Sequence, residues 1–213
     1  MNLTADANSM SWDFWGHWAD GRWEPRTREV IFDHCHGGTF VDIGAWVGPT
    51  SIWAMQSGYG RVVSVEPDPD ARVMLRENVG TAHETIHPMP TLPEVVEAAI
   101  GWGGDWTSIE VRGDSMSRIG LVGLNEPLEY PNRPVRCLTI ETLFARWAIE
   151  NVDLIKMDVE GAEARILPQA EPFLRTVGAP LHLSTHPWDP LDWTVFDGWT
   201  VERLGDDEWL VTP

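Results

Sequence analysis

Basic residues are scarce in this chain: 15 lysines and arginines face 33 aspartates and glutamates over 213 residues, a formal charge of −18. A surface of that sign repels phosphate backbones and anionic lipid. Nucleic acid and membrane are therefore not expected partners, and strongly acidic substrates fit poorly unless a metal screens them. Cysteine is nearly missing. Cys35 and Cys137 show neither metal-ligand spacing nor a disulfide framework, which points to two buried free thiols in a reducing compartment, with a single disulfide as the alternative. There is no run of about 18 apolar residues to span a bilayer. Met1 to Met10 lacks the basic start and apolar centre of a signal peptide. These absences describe a soluble, cytoplasmic protein whose length suits one α/β domain with a full core. No repeat or low-complexity tract divides it. Residues 1–38 form a Trp-rich segment and helix, read as a lid or substrate-side cap ahead of a core domain at 39–213.

Tryptophan, by contrast, is abundant, with 13 copies. Indoles pack loops onto a domain or form platforms for sugar rings and flat ligands. Ser11 to Trp23 carries aromatic residues at 12, 15 and 18, the spacing of one helix face. This helix is expected to dock on the core; the second reading makes it a wall of an acceptor pocket, with His17 as a polar group in it. Arg26 to Cys35 reads as another helix, ended by Gly37 and Gly38.

The stretch Thr39 to Gly48 organises the rest of the chain. It begins as an apolar strand and ends in a glycine-containing turn. Pro49 at a first helical position and Gly58 beyond a last turn bracket a helix. The apolar run Arg61 to Val65 then ends in Glu66. A strand, a helix and an acid-ended strand form a nucleotide-binding unit. In the dinucleotide fingerprint the second glycine lets backbone approach a pyrophosphate; here Trp46 stands in its place and argues against one. S-adenosylmethionine carries no phosphate. It presents a sulfonium, an ammonium, a carboxylate and an adenosine, and favours acids around it. Gly44, Ala45, Trp46 and Gly48 are the expected cradle, and Ser51 in the following helix is a further cofactor-binding candidate. Asp42 suits the ammonium or an ordered water. Glu66 suits the two ribose hydroxyls, with Pro67 and Asp68 beside it. Asp68 is also a natural N-cap before Pro69.

Further along, the pattern predicts a helix to about Val79, a mostly irregular stretch from Gly80 to Pro93, and a third strand at Val95 to Ile100. The small Ala98 and Ala99 there would let a flat ring approach. Trp106 to Val111 reads as an antiparallel strand, Ile119 to Leu124 as an apolar segment, Asn125 to Pro134 as a loop and Val135 to Leu138 as a short strand. Thr139 caps a helix through Trp147. Val152 to Met157 is the fourth core strand and leads into the acidic stretch Asp158 to Glu163. A helix then reaches Leu167 and stops at Pro168, with a separate segment at Phe173 to Thr176. The fifth strand, Pro180 to Thr185, ends at His186, and a hairpin closes the chain. Alternating strands and helices imply a mostly parallel sheet with right-handed crossovers. Ligands of such sheets sit beyond the carboxyl ends of the strands, where Asp42, Glu66, Ala99, Asp158 and His186 all fall.

Phe40 to Gly48, Val65 to Pro69, Ala98 to Gly101 and Asp153 to Glu163, in that order and spacing, resemble the FkbM family of S-adenosylmethionine-dependent methyltransferases. The resemblance implies a class I methyltransferase Rossmann-like α/β fold, with a mostly parallel central sheet and a C-terminal antiparallel hairpin. It also implies that 39–213 binds the cofactor and that the acceptor is a hydroxyl of a sugar, glycan or natural product. The family commonly has Asn where this chain has Trp46.

A hydroxyl acceptor needs alignment, exclusion of water and a base. Asp158 is the first candidate and His186, with a pKa near neutrality, the second. Lys156 shares a strand face with Asp158 and would hold it ionised. Glu160 and Glu163 read as structural, Glu160 as a partner of Lys156 near a helix start. A divalent Mg²⁺ or Mn²⁺ on Asp158, Glu160 and His186 is the alternative, although no spacing in the sequence marks a metal. Competing readings are a cofactor binder without turnover and a methyltransferase acting on a nitrogen or carboxylate. Trp46 disfavours a dehydrogenase, and the positions of Cys35 and Cys137 disfavour a thiol nucleophile.

Overall fold

The computed structural model describes residue 3 and residues 14–85, 92–103, 105–110, 117–120, 132–188 and 190–213. Of the expected first helical face, Trp12 lies outside them, while Trp15 and Trp18 fall within the first helix. In chain order the elements are α1 (Phe14–Ala19), α2 (Pro25–Asp33), β1 (Thr39–Ile43), α3 (Pro49–Ser57), β2 (Arg61–Val65), α4 (Pro69–Thr85), β3 (Glu94–Val96), β4 (Ala99–Ile100), β5 (Trp106–Glu110), β6 (Arg118–Gly120), β7 (Asn132–Leu138), α5 (Ile140–Trp147), β8 (Val152–Met157), α6 (Glu163–Val177), β9 (Leu181–Ser184), β10 (Thr200–Arg203) and β11 (Glu208–Thr212). The main sheet has the order β10-β11-β9-β8-β1-β2-β3. Its β9, β8, β1, β2 and β3 pair in parallel, while β11 and β10 add an antiparallel hairpin. The chain is therefore the mixed α/β architecture that the strand–helix alternation implied.

Both faces of β1 are covered, so every one of its residues is buried. Val41 and Ile43 point with Val63, Val65, Ile155 and Met157 into one core, which α5 and α6 cover with Leu143, Phe144, Ile166 and Leu167. Phe40 joins Val62 and Leu154 in the other, under Trp18, Ile31, Trp53 and Leu75 from α1 to α4. Further along that second face the apolar pattern breaks. Ser64, Asp42, Lys156 and His182 lie abreast on β2, β1, β8 and β9, all nearly inaccessible to water. This buried polar row runs under the end of the sheet where the strands give way to loops.

The structure corrects several expected boundaries. Helix α4 continues past Gly80 to Thr85, because Val79 and Ala82 are buried while Gly80 faces open space; burial outweighs the roughly 1 kcal/mol that glycine costs a helix. Of the remainder of the expected loop, residues 86–91 lie outside the described set, and Leu92 and Pro93 are in neither helix nor strand. Pro168 does not end α6, which runs unbroken with Pro168 and Pro172 inside it. Both prolines are exposed, four residues apart, on the side away from the buried stripe Ile166, Leu167, Ala170 and Leu174. The carbonyls they strand therefore face water. The expected third strand is two: β3 stays in the main sheet, while β4 pairs with β7 in a second sheet ordered β4-β7-β5-β6. Strand β7 also begins earlier than expected and contains Pro134. At that position β7 has only β5 beside it, since β4 reaches only Cys137 and Leu138, so the missing N–H costs no pairing. Cys35 and Cys137 are free thiols, but only Cys137 is buried. Among the described residues no helix is long and apolar enough to cross a membrane.

Candidate active site

A cavity of about 300 Å³ opens beyond the carboxyl ends of β1, β2 and β8, at the lower end of the usual range for small-molecule sites. Gly44, Ala45, Trp46, Glu66, Pro67, Asp68, Ala99, Lys156 and Asp158, all named from the sequence, line it together. Gly44 has φ +83, and a Cβ there would stand 1.7 Å from the Asp158 carbonyl oxygen. Only glycine lets the two loops meet so closely.

Glu66 is a structural hub as well as a wall. Its Oε2 accepts from the Trp46 amide at 2.8 Å and its Oε1 from the Asp68 amide at 2.7 Å. Burial pushes its carboxyl up to about 7 despite these donors. Asp68 caps α4 as expected, its Oδ1 accepting from the Asp70 amide at 2.8 Å, and its Oδ2 accepts from Ser117 Oγ at 2.8 Å. Ala98, Ala99 and Ile100 give the adjoining wall an apolar surface.

Asp42, Gly48 and Ser51 do not line the cavity; they lie behind it. Asp42 is wholly buried, and its Oδ2 accepts from Thr50 Oγ1 at 2.7 Å and Ser51 Oγ at 2.6 Å. Gly48 is the left-handed N-cap of α3. Asp42 thus anchors α3 and Lys156 and is not itself open to a ligand. Lys156 Nζ donates to the Gly44 carbonyl at 3.0 Å, lies 3.8 Å from Asp42 Oδ1 and 3.7 Å from Asp158 Oδ2. Burial alone would lower its pKa, but Asp158, Asp42, Glu24 and Glu66 outweigh burial and raise it. Lys156 is therefore charged, and it is the only lysine or arginine among the described lining residues, against Asp68 and Asp158 and against Glu24, Glu66 and Glu160, whose carboxyls burial pushes up to about 8, 7 and 7. The site attracts cations.

The sequence allowed for an N-terminal wall but singled out none of the residues that make it, Phe14, Trp23 and Glu24. Phe14 packs edge-on against Trp23 at 5.2 Å and Trp46 at 4.9 Å, and Trp18 fixes α1 by donating to the Pro49 carbonyl at 3.1 Å. Glu24 precedes Pro25, which marked a chain break but gave no direction for the side chain. Its residue surface is partly exposed, yet its Oε2 is buried without a partner. Burial first, then repulsion from Asp158 and Glu208 against the pull of Lys156, pushes its carboxyl up to about 8. The folded protein thus holds this proton more tightly than the ordinary carboxyl at 4.5 would, so the group's contribution to stability is present below 4.5 and lost as pH rises through about 8. Glu24→Gln should accordingly melt higher than the parent at about pH 8 and show little gain at about pH 5. A melting difference that is the same at both values would place that carboxyl in water.

Glu24, Trp46 and Glu160 all have positive φ, at 39, 48 and 57°. Non-glycine residues held there store about 1–3 kcal/mol each, and such strain concentrates at working sites. Glu160 does not pair with Lys156, as its place in the sequence suggested. Its Oε2 lies 3.4 Å from His186 Nε2, and Asp158 Oδ1 lies 3.7 Å from the same nitrogen. Burial alone would lower the His186 pKa; Glu163 beside Nδ1, with Asp158 and Glu160, reverses that and raises it. Glu163 is buried and accepts from the Val159 amide at 2.8 Å. Asp158, Glu160 and His186 each offer one ligand atom, all within 4.8 Å of one another. His182 is buried in the polar row, its pKa driven down to about 4 chiefly by burial.

The cavity's features fit S-adenosylmethionine: an acid poised on paired amides at the end of β2, an apolar wall for a ring, a glycine close approach and an excess of negative charge. Residues 42–189 match the family described as the methyltransferase FkbM domain. No curated protein matches the chain in sequence. A solved FkbM methyltransferase from Methylobacillus flagellatus superposes with a TM-score of 0.53 at 15% identity, covering 92% of this chain and 60% of that one. The chain thus spans about 60% of that structure's length. A precorrin-6y C5,15-methyltransferase from Geobacter metallireducens superposes with a TM-score of 0.48 at 13% identity, covering 86% of this chain and 84% of that one.

Proposed function

Because this chain belongs to the FkbM methyltransferase family, we propose that it methylates a hydroxyl of a sugar, glycan or natural-product acceptor, using S-adenosylmethionine. The observation that carries this reading is the cavity itself. It is acidic, and it joins Glu66 at one strand end to Asp158 at another. When bound, S-adenosylmethionine supplies an electrophilic methyl group on a sulfonium sulfur. The two Glu66 oxygens keep lone pairs for the ribose hydroxyls after accepting their backbone amides. Ala98, Ala99 and Ile100 receive the adenine face, and the carboxylates around Lys156 set a potential that favours a cation.

Asp158 takes the acceptor proton. It is partly exposed, so it reaches the cavity, and Lys156 Nζ stands 3.7 Å from its Oδ2. The aromatic wall of Phe14, Trp23 and Trp46 shuts water from the acceptor side. Its flat faces suit a sugar ring or a polycyclic product.

Two measurements test the reading in sequence. Calorimetry should show S-adenosylhomocysteine binding and no heat from NAD. Cell extract incubated with the protein and methyl-labelled cofactor should then yield labelled small molecules by mass spectrometry. Uptake of S-adenosylhomocysteine with no labelled product in any extract would leave a binder without turnover. Label recovered on a nitrogen or carboxylate would change the acceptor class.

A further inference from the structure

We propose that Asp158, Glu160 and His186 form a divalent-cation site beside the cavity, which Asp158 and Glu160 also line, with Glu163 positioning the imidazole. The proposal rests on the methyltransferase reading for its role in catalysis, but the site itself stands on geometry. His186 Nε2 faces Glu160 Oε2 at 3.4 Å and Asp158 Oδ1 at 3.7 Å. Both oxygens are buried and neither has a hydrogen-bond partner. On the other side of the ring, Nδ1 faces Glu163 Oε1 at 3.4 Å. Glu163 is 2% exposed, and its other oxygen is also buried without a partner.

Glu163 gives Nδ1 a carboxylate partner, so that a metal ion on the far side of the ring would take the Nε2 lone pair. Nε2 and the two carboxylate oxygens converge on one space that a positive charge must occupy: a proton on Nε2 or, in its place, a metal ion. The spacings are long for hydrogen bonds. Donors about 2.1 Å from one metal lie roughly 3.0 Å apart in an octahedron and 3.4 Å in a tetrahedron, so Glu160 stands at the tetrahedral edge and Asp158 has a few tenths of an ångström to close. Two carboxylates and one imidazole favour a first-row ion such as Mn²⁺ over an all-oxygen Mg²⁺ site.

The backbone is shaped for this. Glu160 has φ +57, and its carbonyl accepts from Trp188 Nε1 at 3.3 Å. The same indole packs 4.8 Å from the His186 ring. Gly161, at φ +97, must lack a side chain, because a Cβ would come within 2.5 Å of Trp188 Nε1. Trp188 thereby holds Glu160 and His186 to one another, in a turn that an ordinary sequence would not adopt. Lys156 lies 3.7 Å from Asp158 Oδ2, and so leaves Oδ1 to the ion. An acceptor hydroxyl reaching an open coordination position would be oriented and made more acidic beside Asp158.

The test uses the full chain, stripped with a chelator and titrated with Mn²⁺ under electron paramagnetic resonance. Stoichiometric uptake is expected, with nitrogen hyperfine coupling from one imidazole. His186→Ala should abolish that coupling. Glu160→Gln should weaken uptake at least tenfold, and Glu163→Gln should weaken it about 10–100-fold as a positioning residue does. Calorimetry with S-adenosylhomocysteine runs beside each variant to show that the fold survives. Normal S-adenosylhomocysteine binding with no stoichiometric Mn²⁺, or with Mn²⁺ lacking nitrogen coupling, overturns the cation site and leaves the methyltransferase reading intact. Coupled Mn²⁺ without S-adenosylhomocysteine binding does the reverse.

Discussion

Glu66→Ala should weaken S-adenosylhomocysteine binding about a hundredfold near pH 8. Hydrogen bonds to a charged group contribute about 1.5–3 kcal/mol each, and the substitution removes the acceptor for two ribose hydroxyls. The loss is compounded within the protein. Trp46 and Asp68 would each lose the partner of a backbone amide, so the turn that cradles the methionine end loosens as well. Glu66→Gln separates the two contributions, because the amide oxygen keeps one acceptor and the approximate shape. A pH series adds a signature. Burial holds the empty-site carboxyl at about 7, and the ribose hydroxyls donate best to the ionised form. Affinity should therefore rise as pH climbs through about 7 and then level off, while in Glu66→Gln it stays flat. Equal affinity in parent and Glu66→Ala would place the ribose elsewhere.

Asp158→Asn should lower turnover by about 10²–10⁴-fold, the usual contribution of a positioned general base, with S-adenosylhomocysteine affinity kept within a few-fold. The amide is isosteric, and the Gly44 approach involves the Asp158 main chain, not its carboxylate. Lys156 keeps Asp42 and the Gly44 carbonyl as partners. Single-turnover kinetics with an identified acceptor would separate chemistry from binding. Unchanged turnover would move proton removal to His186, which shares the cluster at 3.7 Å.

Local chemistry explains why parts of this molecule could be read from its residues. Pro49 and Gly58 act within a turn of where they stand, and α3 has the bounds they mark. Thr139 caps α5 by accepting from the Thr142 amide at 3.2 Å, an interaction confined to neighbours. Strand ends place Gly44, Glu66, Ala99 and Asp158 on one cavity because parallel strands share a direction. What escaped detection depends on distant partners. Whether Asp42 faces ligand or protein is settled by Thr50, Ser51 and a lysine on another strand. Whether Pro168 ends a helix depends on which side of α6 is buried. Glu24 reaches the cavity only because α1 and α2 dock across α3, through stacking such as Trp18 on Trp53 at 5.7 Å. The Glu160–His186 approach spans the whole of α6 and β9, and no fixed spacing announces it.

The cavity has walls from two sources. Glu66, Asp158 and their neighbours fall within residues 42–189, which the family shares, whereas Phe14, Trp23 and Glu24 precede them. Exchanging those outer side chains would alter the shape and polarity of that wall, and the change would be felt at the strand tips through Phe14 on Trp46 and Glu24 facing Lys156. On the proposed reading, a change of acceptor therefore has to keep Phe14 on Trp46 and the carboxyl facing Lys156, which ties the outer wall to the inner one.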